Sequence, residues 1–253
     1  MFLTHATNRR EQMFGIKVVL PTIVLCVWSC GWAECVSDEE IATRIVLANS
    51  YVDDWRAAAR DMRSAIELCG SDSNRLCQIV RGIAETNTDA RHVGTAMRML
   101  TRYGTSAQLP YLYSVSTNEI RGAQAVKAIL RIEGVTTNSI LAVSNCLAHA
   151  EIDIYERYKA FYDFIERVYR LAPNNPNRYS GIAYINSYVR NENMGCEGID
   201  KLLIKVDPAY RWSKRRLADL RSAVNRGVHE YQIRYITNAI NELVAYPEAN
   251  LPE

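Results

Sequence analysis

The stretches DWRAAARDMRSAIELCG (54–70), DARHVGTAMRMLTRYG (89–104) and EIRGAQAVKAILRIEG (119–134) carry one plan three times. Each opens with an acidic residue, one intervening residue and an arginine, at Asp54-Trp55-Arg56, Asp89-Ala90-Arg91 and Glu119-Ile120-Arg121, and each closes on a glycine. The closing glycines, Gly70, Gly104 and Gly134, lie 34 and 30 residues apart, a period typical of helical repeat arrays. Between these marks apolar residues recur three and four apart, the mark of a helix with one buried face. The acidic residue complements the positive end of the helix dipole and accepts otherwise unpaired backbone N–H groups. The glycine suits a left-handed helix end, and the arginine is placed to bridge to a neighbouring unit. Met99-Leu100 and Ile129-Leu130 stand at equal distances after Arg91 and Arg121, as core positions of equivalent helices should.

Working outward, Ser37 with Glu40 three residues later has capping-box spacing, and Ile41, Ile45 and Ala48 form the stripe of a first helix. A single helix from Asp38 to Cys69 is the competing reading, because its apolar residues keep a four-three alternation; the Asn49-Ser50 pair favours a break. A fourth, looser unit runs from Val135 to Ala172, with its second helix opening near Asp153. That helix is aromatic or apolar nearly all round, from Ile154 through Tyr155, Tyr158, Phe161, Tyr162 and Phe164, and should meet protein on two sides. Tyr179–Arg190 reads as an extra helix or insertion, and His229 to Tyr246 as a capping helix. No convincing strand alternation is present, so the fold class is all-α.

The run Leu202-Leu203-Ile204-Lys205-Val206-Asp207-Pro208-Ala209-Tyr210-Arg211, followed by a helix to about Asn225 and Gly227, resembles the HEAT-repeat family. In that family a helix, an Asp-Pro turn with a nearby arginine and a second helix make one unit. The likeness extends over roughly Asp38 to Gly227. It implies a right-handed α-solenoid of stacked helical hairpins, in which no unit buries enough apolar surface alone. It also implies that second helices line a concave surface, where Arg60, Arg63, Arg98, Arg102, Lys127 and Arg131 would face an acidic protein segment; a solvated helix face is the structural alternative.

The 253 residues are 48% hydrophobic and 23% charged, globular proportions. Arg9, Arg10 and Lys17 against Glu11 precede Glu34, so the 30 basic and 28 acidic residues of the chain become 27 of each thereafter. That neutral balance lacks the footprint of a nucleic-acid binder. Lys17 is followed by VVLPTIVLCVWSCGWA (18–33), an uncharged run too short for a spanning helix and ending in small residues, which is the layout of a signal peptide cleaved after Ala33. The expected organisation is therefore a targeting segment over 1–33 and a helical repeat domain over 34–253. Met13 begins a compact basic n-region of its own, and Val27-Trp28-Ser29-Cys30 loosely resembles a lipobox, so a lipid-anchored or retained segment is the alternative. The chain holds no Asn-x-Ser/Thr acceptor, which fits a bacterial source. The expectation is export to the periplasm or cell envelope, with membrane contact only through the N-terminal segment.

Cys35, Cys69, Cys77, Cys146 and Cys196 follow that segment. Cys69 and Cys77 flank the Gly70–Ser73 turn and read either as a disulfide across a hairpin or as buried thiols. Phosphate loops, nucleophile elbows, His-Glu-x-x-His and Cys-x-x-Cys pairs are absent. Cys146 and His149 share a helical face near Glu151 and Asp153, yet two ligands do not complete a metal site. His229-Glu230 lacks a second histidine, and the pairs Asp53-Asp54 and Glu39-Glu40 sit at helix starts, where capping explains them. Arg211, Lys214, Arg215, Arg216 and Arg221 beside Trp212 form a second basic cluster, open to the same two readings as the first. No catalytic residue, metal site or cofactor is expected. The function expected is a scaffold binding a protein or peptide, with no nucleic acid; the rivals are an enzyme centred on Tyr155, Tyr158 and Tyr162 beside His149, and a structural subunit of an envelope complex.

Overall fold

The structure, a computed structural model, describes residues 36–48, 55–70, 72–191, 196–245 and 251–252. The signal-type run 18–33, Asp54 and Cys35 lie outside them. The described residues form twelve α-helices and two short 3-10 turns, with no strand. The helices are α1 (Asp38–Ala48), α2 (Trp55–Leu68), α3 (Ser73–Thr86), α4 (Ala90–Tyr103), α5 (Leu109–Ser114), α6 (Gly122–Glu133), α7 (Thr137–Ala148), α8 (Ile154–Arg170), α9 (Pro176–Asn191), α10 (Cys196–Val206), α11 (Lys214–Arg226) and α12 (Glu230–Val244). The chain is all-α.

Helix starts follow capping chemistry. Ser37 Oγ accepts from Glu40 N–H, Asp72 from Asn74 and Arg75, Asp89 from Arg91, Asp153 from Tyr155 and Glu156, and Ser213 from Arg216. At Glu119-Ile120-Arg121 the cap is one residue earlier than its sequence suggests. Asn118 Oδ1 accepts from the N–H groups of Ile120 and Arg121, each at 3.1 Å, and Glu119 stays exposed. Gly70 and Gly134 end α2 and α6 with φ of 62° and 76°. Gly104 ends α4 differently, with φ of −56°. A side chain there would put its Cβ 2.4 Å from the Leu100 carbonyl oxygen and 3.2 Å from Ile132 Cδ1, so the close turn of the chain against the end of α4 is what requires glycine, with α6 lying just beside it.

The α1 and α2 helices pack against each other, and Arg44 Nη1 donates to Ser64 Oγ at 2.9 Å across them. A continuous helix would hold these residues about 30 Å apart at 1.5 Å per residue, so the chain folds back between them. The pairs α3/α4, α5/α6, α7/α8 and α11/α12 pack likewise. Many alternate helices are also linked. Contacts run α4–α6–α8–α10–α12 in one series, and α1–α3 and α7–α9–α11 in another. Tyr179–Arg190, expected as an extra helix or insertion that breaks the array, is the body of α9 and takes a place in the second series by packing on α7 and α11.

Arginines tie the units together by donating to carbonyls at the ends of earlier helices: Arg121 to Ala84 at 2.7 Å, Arg167 to Leu130 at 3.2 Å and Arg226 to Val189 at 3.0 Å. All three span 37 residues of sequence. The last carbonyls of a helix lack the full set of partners within it, so these bonds use acceptors at helix ends, Leu130 also taking the Gly134 N–H, and each fixes one unit on another.

The main core runs from α1 to α10, and a smaller one, built on Leu217, Leu220, Ile236 and Leu243, joins α11 and α12. Phe161 and Phe164 of α8 are fully buried, with Tyr188 at 4.8 Å and Tyr184 at 5.9 Å between ring centroids. The aromatic girth of α8 is explained by its neighbours, because it meets α6, α7, α9 and α10.

Candidate protein-binding groove

Where α4, α6, α8, α10 and α12 pack directly in series, α2 and α4 barely touch. Between them lies a groove of about 790 Å³. Its apolar surface comes from Met62 and Ile66 of α2 and Met99 and Tyr103 of α4, each pair four apart and hence on one face of its helix. Its edges carry Arg63, Arg98 and Arg102, with Glu67 as the one acidic group among the described residues of the lining. All three arginines are exposed. Arg98 Nη2 donates to the buried Thr95 hydroxyl at 2.7 Å, and the Arg102 guanidinium lies 5.4 Å from the Tyr103 ring centroid. Both side chains are thereby oriented while their charge remains at the surface.

The six cations picked out from the sequence thus divide. Arg63, Arg98 and Arg102 line the groove, and Arg60 is exposed one turn before Arg63. Lys127 and Arg131 of α6 serve contacts between helices. Lys127 Nζ lies 3.5 Å from Glu156 of α8, and Arg131 donates to the Gly104 carbonyl at the end of α4. The physical reason is position: α6 is covered on both sides by its series neighbours, whereas α2 and α4 leave an opening.

Cys69 and Cys77 are free, buried thiols, and Cys77 Sγ donates to the Tyr103 carbonyl at 3.4 Å. Burial pushes both thiols above their ordinary range. Cys146 is buried as well, and burial raises its thiol to about 11; its neighbour His149 ends α7. Among the described residues no three His, Cys, Asp or Glu side chains gather as metal ligands, and no described helix is long and apolar enough to cross a membrane. The tyrosines of α8 diverge: Tyr155 is 71% exposed, while Tyr162 is half-buried with its hydroxyl against Gly198 of α10.

The second basic cluster hides a polar network that the sequence did not reveal. Arg216 and Asp200 are 3% and 2% exposed and pair through Nε at 3.0 Å and Nη2 at 2.8 Å. Tyr235 OH donates to the same carboxylate at 2.6 Å. Asp219, also buried, accepts from Tyr210 OH and Arg190 Nε, each at 3.0 Å. Burial first, and then the adjoining carboxylates, push Tyr210 and Tyr235 above the ordinary phenol range. With every carboxylate committed to arginine and tyrosine donors, the network is a fastening between α9, α10, α11 and α12. Trp212 is 37% exposed beside it, with the Arg211 guanidinium over its ring.

Comparison with known proteins found no match to a family model, a curated protein or a solved structure.

Proposed function

We propose that this chain is an exported, non-enzymatic scaffold of the bacterial cell envelope, a right-handed HEAT-type solenoid that holds a protein partner in the α2–α4 groove. The alternate-helix contacts and the arginine bonds repeated at 37 residues support the solenoid. The observation that carries the binding reading is the groove itself. It leaves Met62, Ile66 and three arginines, two of them oriented, accessible in a series that is otherwise closed by direct packing. A partly exposed apolar floor with an arginine rim is what protein interfaces favour. The export reading rests on the 18–33 run.

The test is quantitative capture from envelope extract, comparing the full chain with its Arg63→Glu/Arg98→Glu/Arg102→Glu variant. A specific protein retained by the first and lost by the second is the expected result. A monomeric chain that enriches the same proteins as its variant would refute the reading.

A further inference from the structure

Resting on the scaffold reading, we propose that the α2–α4 groove takes the apolar face of an acidic amphipathic α-helix supplied by the partner. Three features of the groove select this occupant. The first is backbone chemistry. Away from their ends, the N–H and C=O groups of α2 and α4 are consumed within those helices, and the described residues offer no strand edge. An extended peptide pressed onto Met62, Ile66 and Met99 would bury main-chain groups without partners, each a costly loss. A helix brings its backbone already satisfied and so escapes that cost.

The second feature is shape. Met62 with Ile66, and Met99 with Tyr103, form two ridges with a spacing of one helical turn. Side chains of an incoming helix at i, i+3 or i+4, and i+7 interdigitate with such ridges. Both walls are helices of 14 residues, about 21 Å long, which matches a ligand of three to four turns. Methionine in the floor adapts to differing apolar partners.

The third is charge. Among the described lining residues, Arg63, Arg98 and Arg102 against Glu67 make a net positive rim around an apolar floor. Acidic residues flanking the apolar stripe of the ligand complement it and set which helices are admitted. A nucleic acid would instead need an extended basic face, and the chain's 30 basic against 28 acidic residues do not supply one.

The test uses the full chain and three fluorescent peptides in anisotropy titrations. One is an amphipathic helix former with leucines on one face and glutamates flanking them, one a scramble of identical composition, and one has lysine in place of each glutamate. The expected result is saturable binding of the first and at least about tenfold weaker binding of the other two. The Arg63→Glu/Arg98→Glu variant should lose at least about tenfold for the acidic peptide and gain for the lysine peptide, a reversal that also demonstrates its groove is folded. Equal binding of the scramble would overturn the helical occupant, and unchanged binding by the variant would overturn the groove as its site. If no peptide binds while envelope capture still depends on the arginines, the acidic helix is refuted and the scaffold reading survives. Failure of both removes both.

Discussion

Replacing Arg216 with methionine tests the buried fastening at the C-terminal end. In the native chain Asp200 receives Arg216 Nε at 3.0 and 3.3 Å and Nη2 at 2.8 Å, and both residues are almost wholly buried. Arg216→Met keeps the aliphatic length but leaves Asp200 with the Tyr235 hydroxyl at 2.6 Å. Breaking one side of a buried ion pair costs about 3–5 kcal/mol, because the remaining charge stays out of water. The Arg211 carbonyl also loses its donor at 3.0 Å, adding about 1 kcal/mol. Asp200→Leu in the same background removes the stranded carboxylate, and a buried pair replaced by apolar residues of similar volume is often neutral. The double variant should therefore be more stable than Arg216→Met alone, and short of the native chain only by the donor lost to the Arg211 carbonyl and the acceptor lost to Tyr235, about 1 kcal/mol each. Urea unfolding followed by circular dichroism, with all four members of the cycle at constant m-value, measures this. An Arg216→Met loss below about 1 kcal/mol, or a double variant equal to the sum of the singles, would show that the pair is solvated and refute the reasoning.

Two glycines should respond in opposite directions. A Cβ at Gly181 would lie 2.6 and 2.9 Å from the two Val168 methyl groups at the α8–α9 crossing, whereas one at Gly82 in α3 meets nothing within 4 Å. Thermal melts should show Gly181→Ala destabilised by about 1–3 kcal/mol and Gly82→Ala stabilised by about 0.4–1 kcal/mol; equal shifts would contradict the packing. Cys146 provides a pH test. Burial raises its thiol from 9.0 to about 11, so the folded chain keeps a proton that the unfolded chain releases. The stability this gives is full below pH 9 and is lost as pH rises through 11, about 2–3 kcal/mol in all. Denaturation across that range should show Cys146→Ala lacking this part of the alkaline decline.

Much of the helical plan was legible because it is written locally. Asp89 and Asp153 cap the helices their positions announce, and Gly70 and Gly134 end two of them in the left-handed region. Arg121 bridges to the previous unit, as an arginine in that place should, although Asn118 rather than Glu119 holds the cap. What could not be read was which of several similar surfaces stays open. The basic residues of α2, α4 and α6 look equivalent in sequence, yet Lys127 finds Glu156 and Arg131 finds Gly104 only because α6 has neighbours on both sides. The Asp200 network was hidden for the same reason. Its members stand 16 and 35 residues apart, and pairing at such separation leaves no periodic trace. One local sign was present: Arg216 and Asp219 occupy the inward stripe of α11 beside Leu217, Leu220 and Ala223, and charges in an apolar stripe need a buried partner.

The slight contact between α2 and α4 has a mechanical consequence. The first hairpin is fastened along one edge, where α1 lies on α3 and Arg75 reaches back to Asp38 and the Val36 carbonyl. A body hinged on one edge has a single soft rotation, and turning about it widens or narrows the cleft without stripping apolar surface from the rest of the array. Under the proposed scaffold function, width at this end adjusts to what fills it, so one frame grips occupants of different girth.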